Sequence, residues 1–151
     1  EESAKTLSIG NTLRRVMEEF GTFIYHRGVV ALADLPEVAG MRQFSSIANR
    51  LVLHGSSHTE DKAASASRTI DTGSISATAK ARLCQDSLAL MYLLQPTHIL
   101  NVLSSDAAFT ALCPTATRRD HDPASEKFVE FKRSIEPRLQ DWLNEAEHSQ
   151  R

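Results

Sequence analysis

The feature that most constrains this chain is the spacing of its apolar residues. They recur at steps of three and four over residues 9–24, 38–52, 79–94 and 128–142. Side chains at that spacing share one face of an α-helix, so each stretch predicts a helix with an apolar stripe. Such helices bury their stripes most simply against one another. The sequence therefore predicts an all-α fold, a single compact helical bundle of five to seven helices.

Proline, glycine and capping residues predict where these helices begin and end. A proline in the first turn or a capping side chain marks the predicted starts, which are Pro36, Ser74 or Ser76, Ser104 or Ser105, and Asp122 with Pro123. Pro96 marks either the end of the third long helix or the start of another piece. Gly28 predicts the end of the first helix after Arg27. Pro137 lies inside the last helical pattern and predicts a kink or a break there. Residues 55–73 are mostly serine, threonine and charged residues and predict one long mobile loop.

The size and composition of the chain indicate one globular domain. It has 151 residues, of which 41% are hydrophobic, enough to bury a core without metal or disulfide support. We expect a single helical domain over residues 1–151. Because the chain begins with Glu1 and not with methionine, we expect that domain to be excised from a larger protein. Only two cysteines are present, which favours an intracellular location, cytoplasmic or nuclear.

Charge and hydropathy exclude two broad classes of partner. Seventeen lysines and arginines against nineteen acidic residues give a net charge of −2, and no segment is a basic arm. Nucleic-acid binders neutralise phosphates with a basic excess, so we expect no nucleic-acid partner. The longest apolar run covers only residues 88–94, far short of the roughly 20 residues that span a bilayer. We expect no membrane partner either, whereas a homo-oligomer is compatible with the sequence.

Standard catalytic and cofactor motifs are not recognisable in the chain. Its six glycines form no phosphate-binding loop, so we expect no cofactor. Cys84 and Cys113 fall in or beside helical patterns and are interpreted as small structural residues. His54 and His58 have the i,i+4 spacing of metal ligands, but Gly55-Ser56-Ser57 between them is a poor helix, so we interpret both as loop residues.

One doublet offers a catalytic alternative. His121 and Asp122 are adjacent, and in this doublet the chain resembles the all-helical, metal-dependent phosphohydrolases of the HD type. The resemblance implies that both residues hold a divalent metal, together with an upstream histidine and a downstream acid, namely His26, His54 or His58, and Asp141. It is confined to the doublet, which in this chain precedes Pro123 at a predicted helix start, where Asp122 also serves as a helix cap.

The function expected first is protein–protein interaction. The chain would be a non-enzymatic helical module, a scaffold or adaptor within a larger protein or assembly, and its partner would be another protein. Aromatic residues dominate the energetics of binding surfaces, so Tyr25, Phe131 and Trp142 are the candidate anchors. The alternative is the HD-like phosphohydrolase that uses His121 and Asp122.

Overall fold

The described part of the protein is built from helices. The computed structural model describes residues 2–26, 28–32, 34–44, 47 and 76–148. Seven helices lie in these ranges: α1 Glu2–Tyr25, α2 Val29–Leu32, α3 Pro36–Ala39, α4 Ala77–Leu94, α5 Pro96–Leu103, α6 Asp106–Leu112 and α7 Glu126–His148. Residues 42–44 are helical as well, and no strand occurs within the described ranges. The predicted all-α fold is confirmed, whereas the predicted loop at 55–73 lies outside the described residues.

Packing divides the chain into two compact units. One consists of residues 1–87 and 146–151, and the other of residues 88–145. Both boundaries fall inside helices, at one point in α4 and one in α7. The prediction of one domain over residues 1–151, excised from a larger protein, stays a prediction. Within the described ranges, no helix combines the length and the apolar character needed to cross a membrane.

Helix α1 buries only part of its predicted stripe. Met17 and Phe20 are buried, but Val16 and Phe23 are exposed. The helix ends at Tyr25, two residues earlier than predicted, because His26 adopts a left-handed backbone with φ of 55°. That conformation ends a helix, and glycine usually supplies it. A Cβ on Gly28 would stand 2.5 Å from Oε1 of Glu18, the far end of a flexible side chain, so this contact alone does not require glycine.

The predicted second long helix is interrupted early. Helix α3 starts at Pro36 as expected but ends at Ala39, where the Gly40 N–H donates to the Pro36 carbonyl and the Met41 N–H to the Val38 carbonyl. Glycine is a poor helix former, which explains why the helix ends here. The interrupted segment still follows the predicted stripe, because Val38 and Phe44 are fully buried. Met41 is half-buried and Ile47 is buried, while residues 48–52 of the stripe lie outside the described residues.

Helices α4, α5 and α6 begin where their capping signals predict. The Ser76 hydroxyl accepts a hydrogen bond from the Ala79 N–H at 3.2 Å, and α4 starts at the next residue, Ala77. Pro96 is the first residue of α5. Ser105 caps α6 in the same way, with its hydroxyl 3.1 Å from the Ala108 nitrogen. These starts depend on neighbouring residues alone, so the sequence suffices to locate them.

The start of α7 differs from its prediction. The helix begins at Glu126 and not at Pro123, because Ser125 is the cap and accepts a hydrogen bond from the Phe128 N–H at 3.2 Å. The carboxylate of Asp122 accepts instead from the Ala124 N–H, within the preceding turn. Pro137 does not break the helix, which runs continuously to His148. Proline is tolerated there on the exposed side, while Ile135 and Leu139 hold the opposite side in the core.

Candidate functional site

His121 lies in the turn between α6 and α7 and reaches back to the start of α6. Its Nδ1 lies 2.7 Å from Oδ1 of Asp106, the first residue of that helix. Because a carboxylate only accepts hydrogen bonds, Nδ1 is the donor in this pair. The edge of the imidazole packs against the buried Phe109 ring at 5.0 Å between centroids. His121 therefore fastens the turn to α6, and an imidazole oriented by a carboxylate can act as a base where a substrate comes within reach.

The turn also holds its own carboxylate in place. Oδ2 of Asp120 accepts hydrogen bonds from the backbone N–H of Thr117 at 2.6 Å and from its hydroxyl at 2.9 Å. These bonds, first of all the backbone one, and the nearby Lys127 ammonium lower the pKa of Asp120. The Ser125 hydroxyl donates to the Asp120 carbonyl at 2.6 Å. Asp120 thus stays ionised and engaged, which suits a structural role in the turn.

The structure brings His121 to Asp106 and directs Asp122 elsewhere. Asp122 is exposed, and its carboxylate bonds to Ala124 in a local turn. The doublet stands in a turn that precedes a helix, which departs from the helical setting of the HD-type doublet. The described ranges, which leave out His54 and His58, contain no group of three or more histidine, cysteine, aspartate or glutamate residues arranged to hold a metal ion. The metal-dependent alternative stays a hypothesis carried by His121 and Asp122.

The aromatic residues predicted as anchors are all half-buried. The Tyr25 ring is tilted against Phe20, with 6.2 Å between centroids. Phe131 packs edge-on against Phe109 at 5.1 Å, in a cluster that also contains Phe128. Trp142 lies on α7 and is half-buried as well. Tyr25 and Phe131 contribute to the packing of their own units, and a role of the three residues in partner binding stays a prediction.

Among the large apolar side chains whose burial the structure describes, which in α1 begin at residue 12, Phe23 is the most exposed, although it lies in the predicted stripe. It is 76% exposed, and Val16, two helical turns earlier, is 39% exposed. Both lie on one side of α1, because residues seven apart differ by only about 20° around a helix. We call this pair the uncovered edge of α1. The sequence carries no signal for this exposure, because periodicity shows which residues share a helix face but not how much of that face is covered. Val102 and Leu112 are further exposed apolar residues, on α5 and α6.

A buried charge network, which the sequence analysis missed, joins α4 to the segment around residue 43. The side chain of Asp86 is only 4% exposed, and its Oδ1 lies 3.0 Å from Nε of Arg82. The Arg82 N–H does not point at Oδ1 well enough for a hydrogen bond, so the interaction between these two groups is an ion pair. Oδ2 of Asp86 accepts a hydrogen bond from Gln43 at 2.6 Å. Buried carboxylates need such compensation. A signal was present, since Asp86 interrupts a helix that is apolar on most sides.

The setting of Cys84 does not favour a nucleophile. Cys84 and Cys113 are both free and half-buried. Burial raises the pKa of the Cys84 thiol, and a protonated thiol reacts poorly. The prediction that Cys84 is structural agrees with this environment.

Comparison with known proteins gives no family to which the chain could be assigned: no protein-family model matches it, and no curated protein or solved structure is significantly similar to it.

Proposed function

We propose that this chain is a protein–protein interaction module, of the scaffold or adaptor kind, that binds another protein through the uncovered edge of α1. The observation that carries the proposal is the exposure of Phe23, whose ring is left largely in water by its own unit. Full burial of a phenylalanine side chain is worth about 1.5–3 kcal/mol. Most of that free energy is therefore still available to a partner that covers Phe23.

The spacing of the edge also suits recognition by side chains of a helix. Val16 and Phe23 are separated by two turns, or about 10.5 Å along the axis. Apolar anchors at such spacing on one helix face are what helix-in-groove and helix-on-helix interfaces use. Tyr25, Phe131 and Trp142, the anchors expected from the sequence, are half-buried, so we propose Phe23 as the principal anchor.

The test compares Phe23→Ser with the neighbouring Thr22→Ser, which is matched in helix and in exposure. Purified wild-type and variant proteins would be used to capture proteins from the cells that make this chain, with quantification by mass spectrometry. Each candidate would then be purified and its binding measured directly. We expect a partner that the wild type and Thr22→Ser bind equally, and that Phe23→Ser binds at least tenfold more weakly, since loss of about 1.4 kcal/mol is tenfold. The proposal is wrong if no purified protein shows this pattern.

A further inference from the structure

The charges beside the uncovered edge of α1 are unevenly placed. Glu19 follows Val16 by three residues and precedes Phe23 by four, so it adjoins both on the helix surface. Around the helix, Glu19 lies about 40–60° from the two apolar side chains, whereas Arg15 lies about 80–100° away. A partner resting on Val16 and Phe23 therefore meets the carboxylate of Glu19 before it meets the guanidinium of Arg15.

The carboxylate of Glu19 is only loosely engaged within the chain. Nη2 of Arg15 lies 3.8 Å from Oε1 of Glu19, and both side chains are mostly exposed. Exposed ion pairs of this kind contribute little to stability, so Glu19 can replace Arg15 with another cation at little cost. When a partner covers this side of α1, Glu19 loses water, and a cation on the partner is needed to compensate for that loss.

We propose that the uncovered edge of α1 binds a basic amphipathic helix, in which a lysine or arginine beside the apolar residues pairs with Glu19. This inference rests on the proposed function, because it names the kind of partner that the same edge takes. A helix fits because α1 has no free backbone edge to which a strand could pair. The contact is made by side chains, and rows of side chains on two helices interlock as ridges and grooves.

A second copy of the chain fits this edge less well. In a symmetric dimer, each copy presents the same surface to the other. Pairing α1 with its own copy about Val16 and Phe23 brings Glu19 of one protomer towards Glu19 or Val16 of its partner. The contact then places two carboxylates close together, or one carboxylate against apolar surface, and both arrangements are unfavourable.

The test uses a phage-displayed library of amphipathic helical peptides with a fixed row of leucines and randomised residues beside that row. Peptides are selected on the full wild-type chain and counter-selected on Phe23→Ala. We expect the survivors to be enriched in lysine or arginine next to the leucines. The affinity of a selected peptide should fall at least about tenfold with Glu19→Lys, in the range measured for close interfacial charge pairs, and less with Glu19→Gln. Thr22→Ala is the matched exposed control and should leave affinity unchanged.

The outcomes separate this inference from the proposed function. Phe23-dependent peptides that bind wild type and Glu19→Lys equally would overturn the basic helix while leaving an interaction module in place. Failure to select any Phe23-dependent peptide would count against both. A wild-type dimer in sedimentation that dissociates in Phe23→Ala would identify a second copy as the occupant and overturn the inference. Because all the substituted positions are exposed, circular dichroism should show unchanged helix content in every variant.

Discussion

His26 ends α1 in a backbone conformation that its side chain disfavours, so glycine at this position should stabilise the protein. The left-handed conformation, with φ of 55°, costs a residue with a Cβ about 1–2 kcal/mol. Glycine removes that cost but adds conformational freedom to the unfolded chain, which costs about 0.5–1 kcal/mol. His26 is exposed, so little packing is lost with its ring. The expected net gain for His26→Gly is about 0.5–1 kcal/mol.

Urea unfolding, followed by circular dichroism, would measure this gain, with a thermal melt in parallel. A change of 1 kcal/mol corresponds to about 2–4 °C in Tm for a chain of this size. His26→Ala is the essential control, because it removes the ring but keeps the Cβ, and it should give no gain. His26→Asn should fall close to the wild type, since asparagine tolerates the left-handed region. If alanine stabilised the protein as much as glycine, the ring and not the backbone would be the cause, and the reasoning would be refuted.

Four further substitutions test the turn, the long helix and the buried charge. The pKa of Asp120 is lowered in the folded protein, so its carboxylate adds stability above the unfolded pKa of about 3.9, and that stability is lost as pH falls through the lower folded value. Urea unfolding measured from pH 6 down to pH 2.5 should therefore show that acid lowers the free energy of unfolding less in Asp120→Asn than in wild type. Identical losses would contradict a stabilising role of the Asp120 carboxylate in the turn. Pro137→Ala should restore a helical hydrogen bond on the exposed side of α7 and raise the free energy of unfolding by about 1–2 kcal/mol, whereas a loss would mean that the packing needs the proline geometry. Asp86→Ala should cost about 1–3 kcal/mol because it leaves Gln43 without its acceptor and removes the carboxylate beside Arg82, and an unchanged urea midpoint would show that the network contributes nothing. Adding zinc, manganese or magnesium should not change the melting temperature of the wild type or that of His121→Ala. A rise on metal addition that is seen only in the wild type would establish a metal site.

Local signals predict the starts of α4, α5 and α6 well. A capping hydroxyl satisfies backbone N–H groups only three residues away, so everything it needs is present in the adjacent sequence. The start of α7 was harder to predict, because Asp122 and Ser125 both carry capping oxygens within a few residues. Asp122 bonds to Ala124 in a tight turn of its own, which leaves Ser125 to cap the helix. Where two local signals compete, the path of the preceding turn decides between them.

The contacts that the sequence could not predict join residues distant along the chain. Asp86 meets Gln43 across 43 positions, and His121 meets Asp106 across 15. Periodicity shows which residues share a helix face, but it does not show which element covers that face or how much of it. The exposure of Phe23 is of this kind, since its place on the stripe was predicted and its lack of cover was not. Tyr25 and Phe131 show the converse, because their aromatic character was visible and their packing partners were not.

Pro137 also divides α7 in a way that amide hydrogen exchange would reveal. Proline has no N–H, so the carbonyl of Arg133, one turn earlier, does not accept the backbone hydrogen bond that another residue at position 137 would donate. The 23-residue helix is continuous, but Pro137 leaves one gap in its backbone hydrogen bonds. Amides on the exposed side of α7 beside Pro137 should exchange through local opening. The amides of Ile135 and Leu139, on the buried side, should exchange later, through global unfolding. Pro137 is therefore the expected point of early solvent entry into α7, on the side that faces water.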